Sequence, residues 1–332
     1  MSAPGRSEAL TPKREARREN PISAMAGAPA EVAGVSFADW MRSRLDLFER
    51  AAEEALPPAD RIPARLHQAM RYAALGGGKR VRPLLAYAAA EVAGGAAEAE
   101  RPGAAADSVA LAVEFVHVYS LIHDDLPCMD DDVLRRGKPT VHVAFDEATA
   151  MLAGDALQAE AFRVLADAPL PAELRAQLTS MLAHAVSTCG MCGGQAIDLA
   201  AVGRRLTLDE LEQMHRMKTG ALLAAAVRMG AATCRSDADT AAAVAAYGRA
   251  LGLAFQIVDD VLDVEGTAES LGKTAGKDAR ENKPTYVSVM GLAAAKARAA
   301  QLHREALDAL APLNDRARRL RELADYIVGR SN

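Results

Sequence analysis

A chain of 332 residues, half of them hydrophobic, has the length for one large domain or two ordinary ones and the apolar content for a sizeable core. Its formal net charge of -5 excludes a general nucleic-acid binder, and six Phe, six Tyr and one Trp favour close aliphatic helix packing over sheets. No apolar run has the length and purity of a membrane span and there is no signal-peptide core, so the expectation is a cytoplasmic protein without stable membrane insertion.

Residues 1–34 are rich in Pro, Ala, Gly and charge, including Lys13-Arg14-Glu15-Ala16-Arg17-Arg18-Glu19, and show no apolar periodicity. They read as a disordered tail, with Met25 as an alternative start that the N-terminal mass of the native protein would test. Residues 35–332 read as one domain. Ser36 is a candidate N-cap, followed at helical spacing by Phe37, Trp40, Met41, Leu45, Phe48 and Ala52. A second helix is predicted from about Asp60 to Leu75, ended by Gly76-Gly77-Gly78. Further helices are predicted near 81–94, 107–125, 147–167, 171–190, 207–229, 236–265 and 286–311, with a short one at 315–328. No alternating strand pattern, hairpin signal or fixed-period repeat interrupts them. The fold class is therefore all-α, a large helical bundle.

Carboxylates crowd the ends of two apolar helices, at Asp124-Asp125 with Asp130-Asp131-Asp132, and at Asp259-Asp260 with Asp263. Two such charges about 5 Å apart repel by roughly 3 kcal/mol at an effective dielectric of 20, which protons or cations must relieve. Oxygen-only clusters suit a hard ion such as Mg2+, whose shell substrate phosphates usually complete. Asp259 and Asp263 are four apart and share one helix face, with Gln256 a turn earlier. Asp124 and Asp130 are six apart, which an ideal helix separates by about 240°. Pro127 cannot sit inside a helix, so the helix is expected to end close to Asp125 and a loop to bring Asp130 back. His117 stands seven before Asp124, on the same face.

Cations accompany these clusters. Gly76-Gly77-Gly78-Lys79-Arg80-Val81-Arg82-Pro83 sets a turn before a helix start, where Gly78, Lys79 and Arg82 could hold a diphosphate, although the Walker spacing is absent. Arg135-Arg136-Gly137-Lys138 follows the first cluster directly, and Lys218-Thr219, Lys273 and Lys283 are further candidates. Cys128, Cys189, Cys192 and Cys234 do not make a disulfide framework; the CxxC at Cys189 and Cys192 has no partner pair nearby, and all four read as small buried thiols.

The string from His117 through Tyr119, Ser120, His123-Asp124-Asp125 and Asp130 to Arg135-Arg136-Gly137-Lys138-Pro139-Thr140 resembles the first aspartate-rich motif of trans-prenyl diphosphate synthases. Gly77-Gly78-Lys79-Arg80-Val81-Arg82-Pro83, Gly193-Gly194-Gln195-Ala196-Ile197-Asp198-Leu199, Lys218-Thr219-Gly220 and Phe255-Gln256-Ile257-Val258-Asp259-Asp260-Val261-Leu262-Asp263 match the remaining motifs in family order. The resemblance spans about residues 36 to 330 and is strongest to the bacterial farnesyl branch, on the inserted Pro127-Cys128 and on Tyr119 five before the aspartates.

The resemblance implies an isoprenoid synthase-type helical bundle with a central active-site cavity. It implies Mg2+-dependent head-to-tail condensation of isopentenyl diphosphate with dimethylallyl and then geranyl diphosphate, giving (2E,6E)-farnesyl diphosphate, by a homodimer. Asp124, Asp130 and Asp259 would hold about three Mg2+ ions, assisted by Asp125, Asp260 and Asp263. Arg135, Lys218 and Lys273 would contact the allylic diphosphate, and Lys79, Arg82, His117 and Arg136 the isopentenyl diphosphate. Thr219 and Gln256 would stabilise the allylic cation, with Gln195 at the same substrate site. Tyr119 would be the floor limiting product length; helical geometry alone points to Ser120 as well. Geranyl or geranylgeranyl synthesis, a terpene cyclase and a non-catalytic partner subunit are the alternatives. The cyclase is disfavoured by Lys79, Arg82 and His117, and the subunit by two intact aspartate motifs.

Overall fold

The computed structural model describes residues 35–100, 102–265 and 283–330; the expected N-terminal tail and Lys273 lie outside the described residues. Helix α1 (Phe37–Ala55) opens where Ser36 Oγ accepts the Asp39 N–H at 3.1 Å, the N-cap expected from sequence. Then come α2 (Ala64–Ala74), α3 (Val81–Gly94), the short α4 (Ala96–Glu100) and α5 (Ala104–Asp124). A two-residue antiparallel pair, Leu134–Arg135 with Lys138–Pro139, turns on Arg136-Gly137 and leads to α6 (Val141–Ala144) and α7 (Glu147–Ala166). Next are α8 (Ala172–Val186), α9 (Met191–Ala201) and α10 (Leu208–His215), a π-helical turn (Arg216–Gly220), α11 (Ala221–Ala232) and the long α12 (Ala238–Glu265). Finally α13 (Tyr286–Met290), α14 (Leu292–Ala309), a 3-10 segment (Ala311–Ala317) and α15 (Arg318–Val328) close the bundle.

Several boundaries differ from the sequence reading, four of them for a clear local reason. Helix α2 starts at Ala64, since Pro63 occupies the N-cap position. The 286–311 helix breaks at Gly291, whose φ of 81° suits glycine alone. The 207–229 helix contains the π turn. Helix α9 escaped notice because Gly193-Gly194 masks its propensity; the adjacent 171–190 helix stops at Val186.

Helices α5 and α3 are buried on nearly every face, and α5 packs between α3 and α7 while α11 joins α3 to α12. Alanine lets these axes close up. A β-carbon on Gly230 would stand 2.2 Å from the Ala86 carbonyl oxygen, so α11 touches α3 backbone to backbone. Phe115, Leu84 and Leu157 are fully buried, each stabilising the fold by about 2–3 kcal/mol. A second apolar cluster, around Leu211, Leu253, Ile257 and Leu302, ties α10, α12 and α14 together.

Against the expectation from sequence, α5 and α12 are long and apolar enough to cross a membrane by length and composition alone. Their most apolar windows are 67% and 56% buried inside the fold. A helix packed on all sides is apolar on all sides, which is why core helices meet the same criterion.

Candidate active site

Helix α5 delivers Asp124 as its last residue and Asp125 as its C-cap. The Pro127 loop then doubles back. The Asp130 N–H donates to the Asp124 carbonyl at 2.8 Å, and Asp131, with φ of 50°, completes the turn. The loop expected from the six-residue spacing is therefore present, and it sets Asp130 beside Asp124. Helix α12 presents Asp259 to the same cavity, which measures about 730 Å³ and is also lined by Lys79, Arg82, His117, Lys218 and Thr219. That volume is ample for a small-molecule substrate.

The aspartates divide into two environments. Asp124 accepts from Gln195 Nε2 at 2.8 Å, and Asp130 pairs with Lys283 Nζ at 2.9 Å. Burial pushes the Asp124 carboxyl up to about 6; Lys218 opposes this and Asp130 reinforces it. Asp125 and Asp260 turn away from the cavity. Asp125 takes Arg135 Nε at 3.1 Å. Asp260 accepts from Gln256 Nε2 at 2.9 Å and from the Tyr286 N–H at 2.8 Å. Asp263, a turn beyond Asp259 on the same face, is buried with Oδ1 unpartnered among the described residues.

The basic wall comes from the glycine turn and the hairpin. Gly78, with φ of 138°, has no room for a side chain: a β-carbon there would lie 2.5 Å from the Arg136 guanidinium, which bonds the Gly77 carbonyl. Arg82 is buried with Nε unpartnered among the described residues, a donor in search of an anion. Burial, then the charges of Arg82, Arg136 and Arg135, holds the His117 imidazole well below its ordinary value, so it is neutral here. Arg135 also lines the cavity, although its guanidinium is engaged by Asp125 and by Asp132 at 3.4 Å.

Lys218 and Thr219 sit on the π turn, a one-residue bulge of the kind that marks functional sites. Lys218 Nζ donates to Asp198 Oδ2 at 2.5 Å. Thr219 Oγ1 donates to Gln256 Oε1 at 2.9 Å, so Asp260, Gln256 and Thr219 form one chain of fixed dipoles. Gly194 allows α9 to touch this turn, since a β-carbon there would stand 2.1 Å from the Lys218 nitrogen. Gly194→Ala is accordingly expected to destabilise the protein by about 1–3 kcal/mol and to displace Lys218. A thermal melt coinciding with that of the unsubstituted protein would contradict this.

Tyr119 lines the same cavity, nearly buried at 6% exposure, with its ring edge-on to that of His123, centroids 5.7 Å apart. Ser120 also lines the cavity, but its Oγ turns back to the His117 carbonyl at 2.8 Å. The expectation of buried thiols is corrected: Cys128, Cys189 and Cys192 are exposed and Cys234 intermediate, because the first three sit in loops or at a helix start, Cys128 and Cys192 on the cavity wall.

Three partners were not singled out as site residues from sequence. Asp198 lies inside the Gly193–Leu199 string and could have been found as a carboxylate within an apolar helix. Arg330 donates to Asp259 Oδ1 at 2.6 Å and lies over the Phe255 ring at 4.1 Å, and no local pattern points to it. Tyr286 supplies only a backbone N–H, which no side-chain pattern reveals.

Among the described residues no three His, Cys, Asp or Glu side chains converge on one point. The protein thus offers open carboxylate walls and not a closed cage. That donor set, with Asp124 raised first by burial and further by Asp130, fits Mg2+, which keeps waters and takes one or two carboxylates together with substrate phosphates.

Residues 63–322 match the family described as polyprenyl synthetase. A protein named probable farnesyl diphosphate synthase from Sinorhizobium fredii is 48% identical over 310 residues, 91% of this chain and 92% of the relative. The farnesyl diphosphate synthase of Escherichia coli is 47% identical over 271 residues, 80% of this chain and 89% of its own. A geranylgeranyl diphosphate synthase from Cyanophora paradoxa is 41% identical, over 88% of this chain and 96% of its own. The geranyltransferase of Helicobacter pylori, crystallised with magnesium and isoprenyl diphosphate, superposes with a TM-score of 0.79 at 32% identity, covering 90% of this chain and 98% of that one.

Proposed function

The chain belongs to the polyprenyl synthetase family and is a prenyltransferase, and from that premise we propose that it makes farnesyl diphosphate as a homodimer. Isopentenyl diphosphate would be joined head to tail to dimethylallyl and then geranyl diphosphate, with Mg2+ as cofactor. One cavity supports this reading: in it Asp124 and Asp259 face the same space as the Lys79, Arg82 and His117 wall, and Tyr119 lines it too. Farnesyl diphosphate synthases among the relatives support this product.

In this reading, bound magnesium, held by Asp124 and Asp130 on one wall and by Asp259 with Asp263 on the other, would neutralise charge on the departing diphosphate. Lys218, oriented by Asp198, places a further cation against that leaving group. Thr219 Oγ1 and the Gln256 amide, fixed by Asp260, present neutral dipoles to the allylic cation without offering a strong nucleophile. Asp260 is thereby better placed to position Gln256 than to meet a metal. Lys79, Arg82 and Arg136 bind the second diphosphate, and neutral His117 donates a hydrogen bond there, so the double bond meets the cation at short range. Asp125 anchors Arg135 and with it the hairpin carrying Arg136.

Incubation with Mg2+, dimethylallyl diphosphate and isopentenyl diphosphate tests the proposal. A linear fifteen-carbon diphosphate is expected; a cyclic hydrocarbon or no product would reject it.

The raised Asp124 carboxyl gives a pH signature. Its stabilising contribution to the metal-free protein is fully present below the ordinary carboxylate value and lost as pH rises through about 6. Metal requires the ionised form, so Mg2+-dependent substrate binding should weaken up to about tenfold per pH unit below about 6, with proton release on binding. Calorimetry in buffers of differing ionisation enthalpy measures that release, and none at about pH 6 would contradict it.

A further inference from the structure

The hydroxyl of Tyr119 lies where two helices meet. Tyr119 stands on α5; Cys192 Sγ, in the first turn of α9, is 3.8 Å from its oxygen. Cys192 lines the substrate cavity together with Met151, Met191 and Leu199, so its sulfur is on the wall that a growing chain touches.

A tyrosine ring used as a stop is only as firm as its hold against rotation about two side-chain torsions. Packing on His123 restrains one edge of this ring. The far end is restrained by what its hydroxyl meets. An isoprenoid tail pressing on the ring would swing it aside unless that end is tied, and Cys192 supplies the tie from a helix other than its own.

We propose that Cys192 is a specificity-determining residue that latches the Tyr119 hydroxyl and so fixes where chain elongation stops. This rests on Tyr119 being the floor of the product cavity. Cys192 has no part in ionisation or diphosphate binding; it acts on product length through the ring.

The test uses the full chain with Mg2+, geranyl diphosphate and isopentenyl diphosphate, and reads the ratio of products longer than fifteen carbons to fifteen-carbon product. Cys192→Ala, and Tyr119→Phe from the other side of the contact, should each raise that ratio by about fivefold, the bias one hydrogen bond supplies. Cys192→Ser, which keeps a small hydrogen-bonding group, should leave it near the original value. A purely structural role for Cys192 would lower melting temperature and turnover together without moving the ratio. Tyr119→Ala separates the two layers. Lengthened products there with unchanged ratios in Cys192→Ala and Tyr119→Phe would overturn the latch and spare the floor. Unchanged products in Tyr119→Ala would overturn both. Should Cys192→Ala fail to fold, Tyr119→Phe decides the latch by itself.

Discussion

Replacing Asp124 or Asp259 with alanine is expected to lower turnover by about a thousandfold or more, a loss of about 4 kcal/mol in transition-state stabilisation. Each carboxylate stands on a different helix yet opens into the same cavity, so each would hold its own share of the metal–diphosphate cluster. The substitutions differ in their structural cost. Asp124→Ala leaves the Gln195 amide without its acceptor but relieves a carboxylate held at about 6 by burial and its neighbours. Asp259→Ala removes the charged acceptor of Arg330, whose side chain is only 7% exposed and keeps the Phe255 carbonyl at 3.1 Å, and so carries an added destabilisation of about 1–3 kcal/mol. Asp259→Asn keeps most of that contact and is the better variant for kinetics. Circular dichroism should stay helical in all three. Turnover near the original in both positions would remove the metal hypothesis.

The second large effect concerns product identity. Tyr119→Ala is expected to move the main product beyond fifteen carbons, because the ring proposed as the floor of the cavity it lines is replaced by a methyl group. The names of relatives do not decide this point, since farnesyl and geranylgeranyl synthases both exceed 40% identity to this chain. Under the proposed function it is set by the position of one aromatic ring relative to the aspartates. Chromatography of the dephosphorylated alcohols gives the chain lengths, and an unchanged fifteen-carbon product would reject Tyr119 as the floor.

The helical architecture was legible because apolar residues recur at helical spacing through most of the chain and strand signals are absent. The Pro127 loop was legible from arithmetic: six residues cannot align two carboxylates on one helix, and proline had to break it. The Asp259–Asp263 face was plain from a spacing of four. Other features had no local signal. The π turn at Arg216–Gly220 depends on backbone packing against Gly194 and Gly252, which periodicity does not report. The separate fates of Asp125 and Asp260, bound to Arg135 and Gln256, were hidden because adjacent aspartates look equivalent until side-chain directions are known. The thiols were misjudged for a related reason: a small apolar residue at a helix end meets a cavity as easily as a core.

In the proposed reaction both carboxylate walls act on one substrate through magnesium. Titrating a non-reactive allylic diphosphate analogue into the protein by calorimetry tests it most directly, with Mg2+ and then with a chelator, in the unsubstituted protein and in Asp124→Ala and Asp259→Asn. We expect tight binding only with Mg2+, weakened at least tenfold by either substitution. Equal affinity with and without the metal, or full affinity in either variant, would contradict a shared metal–diphosphate site.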